Sequence, residues 1–200
     1  LCQRNDTSIC SDEIHCDLIY PGHRHIPIAS LSPDIAEHTI TLMAPSKTFN
    51  IPGLNCAFAI IPNVELRKPF KKAREGIVPG TNALGYAACL AAYRDGEPWR
   101  AVLIEVLRRN SRLVYRTVNE EIAGLSMDHV QATYLAWIDT TELGLSEPAK
   151  FFEQAGVGLS DGADFLGPGY VRLNFGCPEK TLREGLDRMK RAVAQLARHR

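Results

Sequence analysis

TITLMAPSKTFN, residues 39–50, is the stretch on which the fold turns. Its first five residues, Thr39–Met43, are β-branched or apolar throughout, as in a strand buried in a parallel sheet. Ala44-Pro45 ends the run, because proline brings no N–H to a ladder. Ser46-Lys47-Thr48 then sets a lysine between two hydroxylated residues just past the strand's carboxyl end. Open α/β sheets bind ligands outside the carboxyl ends of their strands. The small and hydroxylated neighbours of Lys47 leave room for a ligand and offer it hydrogen bonds. A lysine in a loop is ordinarily just solvated, so position rather than residue type singles this one out.

Upstream, residues 7–11 (TSICS) read as another buried strand, stopping at Asp12-Glu13. Asp12 then follows a strand end as Lys47 does, and the two could face one crevice. Residues 20–27 (YPGHRHIP) are punctuated by Pro and Gly and read as loop. Downstream, residues 56–61 (CAFAII) are a third strand candidate, closed by Pro62-Asn63. Residues 81–94 are alanine-rich and helical. Residues 97–118 read as one long helix, with Pro98 in the first turn, where a missing N–H costs nothing, and Val102, Val106, Leu107, Leu113 and Val114 as its buried stripe. Beyond it, 132–138 (ATYLAWI) and 170–175 (YVRLNF) read as strands, and 147–155 and 178–198 as helices. The expected class is α/β, with a smaller α+β lobe after the long helix.

Lysine plus arginine and aspartate plus glutamate each number 23, so the net charge is zero and gives no reason to expect nucleic acid or an anionic membrane as partner. No apolar run approaches the roughly 18 residues of a membrane span. Cys2, Cys10, Cys16, Cys56, Cys89 and Cys177 form no CxxC pair. With no secretory signal ahead of them, they read as buried reduced thiols in a cytoplasmic protein. The chain begins at Leu1, as if partway through a helix, and a truncated chain is expected.

Three segments in order, SDEIHCDLIYPGHRHIP (11–27), TLMAPSKTFNIPGLNCAFAIIPN (41–63) and VRLNFGCPEKTLREGLDRM (171–189), resemble the aspartate-aminotransferase fold (fold type I) of enzymes that depend on pyridoxal 5′-phosphate (PLP). Within it they resemble the MalY/PatB type of cystathionine β-lyases and related C–S lyases. The resemblance runs over residues 1–189. It implies that residues 1–95 are the C-terminal part of a PLP-binding large domain and 96–200 a small C-terminal α+β domain opened by the linking helix.

The resemblance also implies roles. Lys47 is the expected Schiff-base lysine and the base that moves the substrate α-proton, a task suited to an amine whose pKa falls readily on burial. Asp12 is expected to hold the pyridinium N1–H, His15 to lie near O3′, and Ser46 to contact the phosphate. Arg172 is expected to bind the substrate α-carboxylate through its fork, with Asn174 structural around it. Tyr20 is expected near the substrate. His23 and His25 lie in the same loop, and all three residues either stand near the entrance or pack as polar loop residues. Their HxH spacing could supply two metal ligands, but no third is evident and no metal is expected. Asn55 stands where many aminotransferases carry a phosphate-binding arginine. Either other groups hold the phosphate, or the contact is weak.

The implied reaction is β-elimination from a cysteine S-conjugate such as cystathionine, giving a thiol, pyruvate and ammonia. The same lysine, aspartate and arginine would serve transamination to a 2-oxo acid. From outside the enzymes, an inactive fragment or a regulatory protein is the rival. A complete relative is expected to be a homodimer acting on a small amino acid. The phosphate-cradling loop, ring-stacking aromatic and O3′ asparagine of the family would lie upstream of Leu1, so these 200 residues alone are expected to bind PLP poorly and self-associate along an open strand edge.

Overall fold

β1 (Ile9–Asp12) and β2 (Thr39–Met43) are parallel neighbours, paired from Ile9 opposite Thr39 to Asp12 opposite Leu42. β3 (Phe58–Ile60) runs antiparallel along the other side of β2, with Met43 opposite Phe58. This sheet, in the order β1-β2-β3, belongs to the first of two compact units, Leu1–Val102; the second is Leu103–Arg200. The computed structural model describes residues 1–5 and 7–198. Among these, no helix is long and apolar enough to cross a membrane.

The helices of the first unit start at side-chain caps that satisfy otherwise orphaned N–H groups. Ser32 accepts from Ile35 N ahead of α1 (Pro33–Glu37), Asn63 from Glu65 N ahead of α2 (Val64–Arg74), and Asn82 from Gly85 N ahead of α3 (Ala83–Asp95). The interior of this unit is rich in hydroxyls. Ser11, Thr39, Thr41 and Thr48 are buried along with Leu18, Tyr20, Ala44, Cys56 and Ile61. Considerable apolar surface faces outward, including Phe58 and Ile60 on β3 and Leu84, Tyr86 and Leu90 on α3.

α4 (Glu97–Arg116) contains the division between the units and runs into a wide π-helical turn, Thr117–Glu121. In the second unit, β4 (Leu135–Asp139), β5 (Ser160–Asp161) and β6 (Tyr170–Asn174) form an antiparallel sheet in the order β4-β6-β5. α5 (Pro148–Gln154) lies between β4 and β5 in the chain, and α6 (Glu179–Arg198) follows β6. The core is apolar: Leu107, Val114, Val118, Ala136, Ile138, Phe152, Val171, Phe175 and Met189 are each no more than 1% exposed. Asn110 of α4 is buried with them and donates from Nδ2 to the carbonyls of Phe175 and Cys177, 2.9 Å each, tying the helix to the chain that leaves β6.

Several expectations need correction. The first strand starts at Ile9, not Thr7, because Thr7 N is taken by Cys2 O at 3.0 Å while Ile9 N pairs with His38 O. It is not buried on both faces: Ser11 is covered and Cys10 is not. The expectation of buried cysteines therefore holds for Cys56 alone among the six, all of which are free. The sheet of the first unit is not wholly parallel, since β3 opposes β2. Along α4 the buried apolar stripe is Ile104, Leu107 and Val114. Val102 is 66% exposed, because two residues carry it roughly 200° around the helix from Ile104. β4 starts at Leu135 instead of residue 132, as Thr133 adopts a left-handed φ of 65° and breaks the extended run. α2 went unread because Pro69 lies inside it.

Candidate active site

At the carboxyl edge of the first sheet, β1 ends on Asp12 and the adjacent parallel β2 ends on Met43, four residues before Lys47. Asp12 and Lys47 thus leave the same edge of the sheet, from neighbouring strands, and both are exposed. Asp12 is tethered locally, its Oδ1 accepting from Ile14 N at 3.2 Å.

Lys47 sits in a turn held on either side. Phe49 N donates to Pro45 O at 2.9 Å and Ile51 N to Ser46 O at 3.1 Å. Thr48 is fully buried and donates from Oγ1 to Asp17 Oδ2 at 3.1 Å. The carbonyl of Asp17 in turn accepts from Arg100 Nη1 at 2.8 Å. The Phe49 ring packs edge-on against Tyr93, centroids 5.6 Å apart, and near Trp99 at 6.3 Å. Gly96 leaves space for it: a Cβ there would stand 2.6 Å from the ring. Burial, with the nearby Asp17 carboxylate and the thiols of Cys89, Cys16 and Cys56, raises the Tyr93 phenol to about 12. Ser46 is half-buried. Asn55 ends a short 3-10 turn, Pro52–Leu54, in the left-handed conformation (φ 50°), where asparagine is more at ease than most side chains.

The turn after β1 carries His15, half-buried, whose carbonyl accepts from Leu18 N at 3.0 Å. Cys16 beside it is raised to about 11, by burial first and then by the neighbouring Asp17 carboxylate. Tyr20 is 5% exposed, and burial pushes its phenol up. His23 is exposed, whereas His25 reaches back to Glu13, its Nε2 2.7 Å from Oε2. Glu13 is itself buried and also accepts from Ser11 Oγ at 2.9 Å and Ile28 N at 3.1 Å. Desolvation works to raise its pKa, but the hydrogen bonds from His25, Ser11 and Ile28 outweigh it and hold the carboxyl below its ordinary value.

Arg172 belongs to the second unit. On β6 it stands opposite Trp137 of β4 and Ser160 of β5, so the three share one face of the sheet. Its guanidinium lies 4.1 Å over the Phe165 ring, and Nη2 donates to Ser160 Oγ at 3.3 Å. Trp137 stacks on Tyr170, centroids 5.5 Å apart, and meets Phe165 edge-on. None of the ion pairs found among the described residues involves Arg172. Asn174 accepts from Gly176 N at 2.9 Å, capping its own turn and not the arginine.

Sequence reasoning missed the roles of Glu13, Phe49, Ser160 and Phe165, and the expectation that Thr48 offers its hydroxyl to a ligand is corrected, since Thr48 is fully buried and donates to Asp17. Phe49 stands two residues after the lysine in the quoted stretch and could have been weighed as an anchor. Ser160 and Phe165 carry no local signal, since only the antiparallel pairing of β5 with β6 brings Ser160 beside Arg172.

Comparison with known proteins gives a consistent answer. The cystathionine β-lyase PatB of Bacillus subtilis (strain 168) is 38% identical over 201 residues, covering 97% of this chain and 52% of PatB. The crystal structure of OvoB matches at 50% identity with a TM-score of 0.92, over 96% of this chain and 51% of that one. Cystalysin from Treponema denticola, whose crystal structure contains PLP, matches at 33% identity and a TM-score of 0.91, over 98% and 51%. The chain spans about half the length of the curated relatives it matches. The model of the family described as aminotransferase class I and II matches residues 1–189, and the chain belongs to that family.

Proposed function

We propose that this chain carries the lysine, ring-nitrogen and carboxylate-binding groups of a PLP-dependent C–S β-lyase acting on cysteine S-conjugates. One observation bears most of the weight: an exposed amine, Lys47, and an exposed carboxylate, Asp12, leave one sheet edge from adjacent parallel strands. That donor set suits a pyridine aldehyde, which needs an amine for its carbonyl and an anion for its ring N–H. Asp12 would accept the ring N–H, Ser46 would donate to the phosphate, and His15 and Tyr20 would flank the site. When bound, PLP supplies an electron sink for the pair left at the substrate Cα. Lys47 Nζ takes the α-proton from a turn whose backbone Thr48 and Phe49 pin. Arg172 offers its fork to the α-carboxylate. It fits that task as a half-buried cation engaged by an aromatic face and a hydroxyl. That the relative PatB is named a cystathionine β-lyase supports the elimination reading over the transamination one. The same reading makes the protein a cytoplasmic homodimer.

Borohydride reduction of the chain with PLP, followed by peptide mapping, tests the assignment. The pyridoxyl group should concentrate on Lys47 and disappear in Lys47→Ala, and pyruvate should form from cystathionine with no keto acid added. Label spread evenly over the surface lysines would refute the role of Lys47. Turnover that needs a keto acid would make the protein an aminotransferase.

A further inference from the structure

Glu13 is a buried carboxylate with 4% of its side chain exposed, and it joins three segments. Ser11 Oγ reaches it within β1, His25 Nε2 from the loop that follows, and Ile28 N from the start of the next helical turn. Its own N–H continues the ladder to Leu42 O at 2.9 Å. Ser11 and Glu13, two apart and bonded to each other, lie on the covered side, which forces Asp12 between them to the opposite side. We propose that Glu13 is a positioning residue: its carboxylate latches the 20–28 segment onto the end of β1 and so sets the direction of Asp12. The latch acts on Tyr20, His23 and Arg24, which all lie between its two anchor points, Glu13 and His25. A buried anion is costly to strand, so the segment cannot leave without exposing or neutralising it. The value of the latch for the cofactor rests on the reading of Asp12 proposed above; the latch itself does not.

Two readouts on the full chain test it without cofactor. Exposed Arg24 makes the Arg24–His25 bond a trypsin site inside the latched segment. The Ile14 amide, which donates to Asp12 Oδ1, reports the aspartate in an NMR spectrum. Glu13→Gln should speed native-state cleavage at Arg24 about tenfold, as expected when a charge-assisted hydrogen bond to a buried group is lost, and should move the Ile14 amide resonance. His25→Gln keeps an N–H donor and should stay close to the parent in both readouts, whereas His25→Leu should follow Glu13→Gln. Cleavage in Glu13→Gln within about twofold of the parent, or an unmoved Ile14 amide, overturns the proposal. If Glu13→Gln does not fold, the two His25 variants decide alone, and equal behaviour of the pair overturns it. An error in the Asp12 assignment would show separately, as PLP absorbance unchanged by Asp12→Asn, and would leave these results standing.

Discussion

Replacing Asn110 by alanine should cost the second unit about 3 kcal/mol. The side chain is 1% exposed and donates two hydrogen bonds of 2.9 Å to the carbonyls of Phe175 and Cys177. The two bonds contribute about 1 kcal/mol each, and stripping the side-chain donor from the buried Phe175 carbonyl adds about 1–2 kcal/mol. Alanine is the better helix former, which returns about 0.6 kcal/mol. Urea unfolding reads the result, followed by Trp137 fluorescence with Trp99→Phe in both chains so that one tryptophan of the second unit reports. At an m-value of about 2 kcal/mol/M, the midpoint should fall by about 1.5 M. The same change should loosen the chain just after Arg172 and Asn174. A fall of less than about 0.5 M would mean that the carbonyls find other donors and that Asn110 does not tie α4 to β6.

Two further changes follow from the geometry. The carboxyl of Glu13 is held below its ordinary 4.5, so its contribution is fully present above that value and lost as pH falls through the lower folded one; urea midpoints should drop over this acid range, and Glu13→Gln should flatten that part of the profile. Gly162→Ala should destabilise the second unit by about 3 kcal/mol or more, read as a thermal midpoint, because the added Cβ would press on the carbonyl oxygens of Gly167 and Tyr170, which are backbone and cannot swing aside.

Much of the frame was legible because it is written in local patterns. Thr39–Met43 is a continuous β-branched or apolar run and became β2; the helical period after Glu97 became α4. That Lys47 follows β2 and that Asp12 closes β1 both follow from where those runs stop. What stayed hidden depends on residues distant in sequence. A glutamate after a strand reads as solvated, and Glu13 is buried only because His25 and Ile28, twelve and fifteen residues on, fold over it. His25, weighed as half of a metal motif, is the partner of that carboxylate. The exposure of Val102 and of Cys10 likewise depends on which face a neighbour covers, which a hydrophobic pattern does not encode.

The two edge residues also show why a reactive group needs inert neighbours. Lys47 is exposed, yet Thr48 beside it is wholly buried and bonded to Asp17, and Phe49 is wedged between Tyr93 and Gly96. Asp12 is exposed, yet Ser11 and Glu13 on either side are buried and bonded to each other. In both cases buried neighbours take up hydrogen bonds and packing that fix the local backbone, while Lys47 and Asp12 stay exposed. This accounts for two of the buried hydroxyls of the first unit, those of Thr48 and Ser11. Thr48 spends a buried hydroxyl on Asp17 and Ser11 one on Glu13; valine at 48 would take that hydroxyl from Asp17, and alanine at 11 would leave Glu13 to His25 and Ile28 N. An edge built in this way sets an exposed amine and an exposed carboxylate on adjacent strands, the carboxylate held locally by the Ile14 N–H.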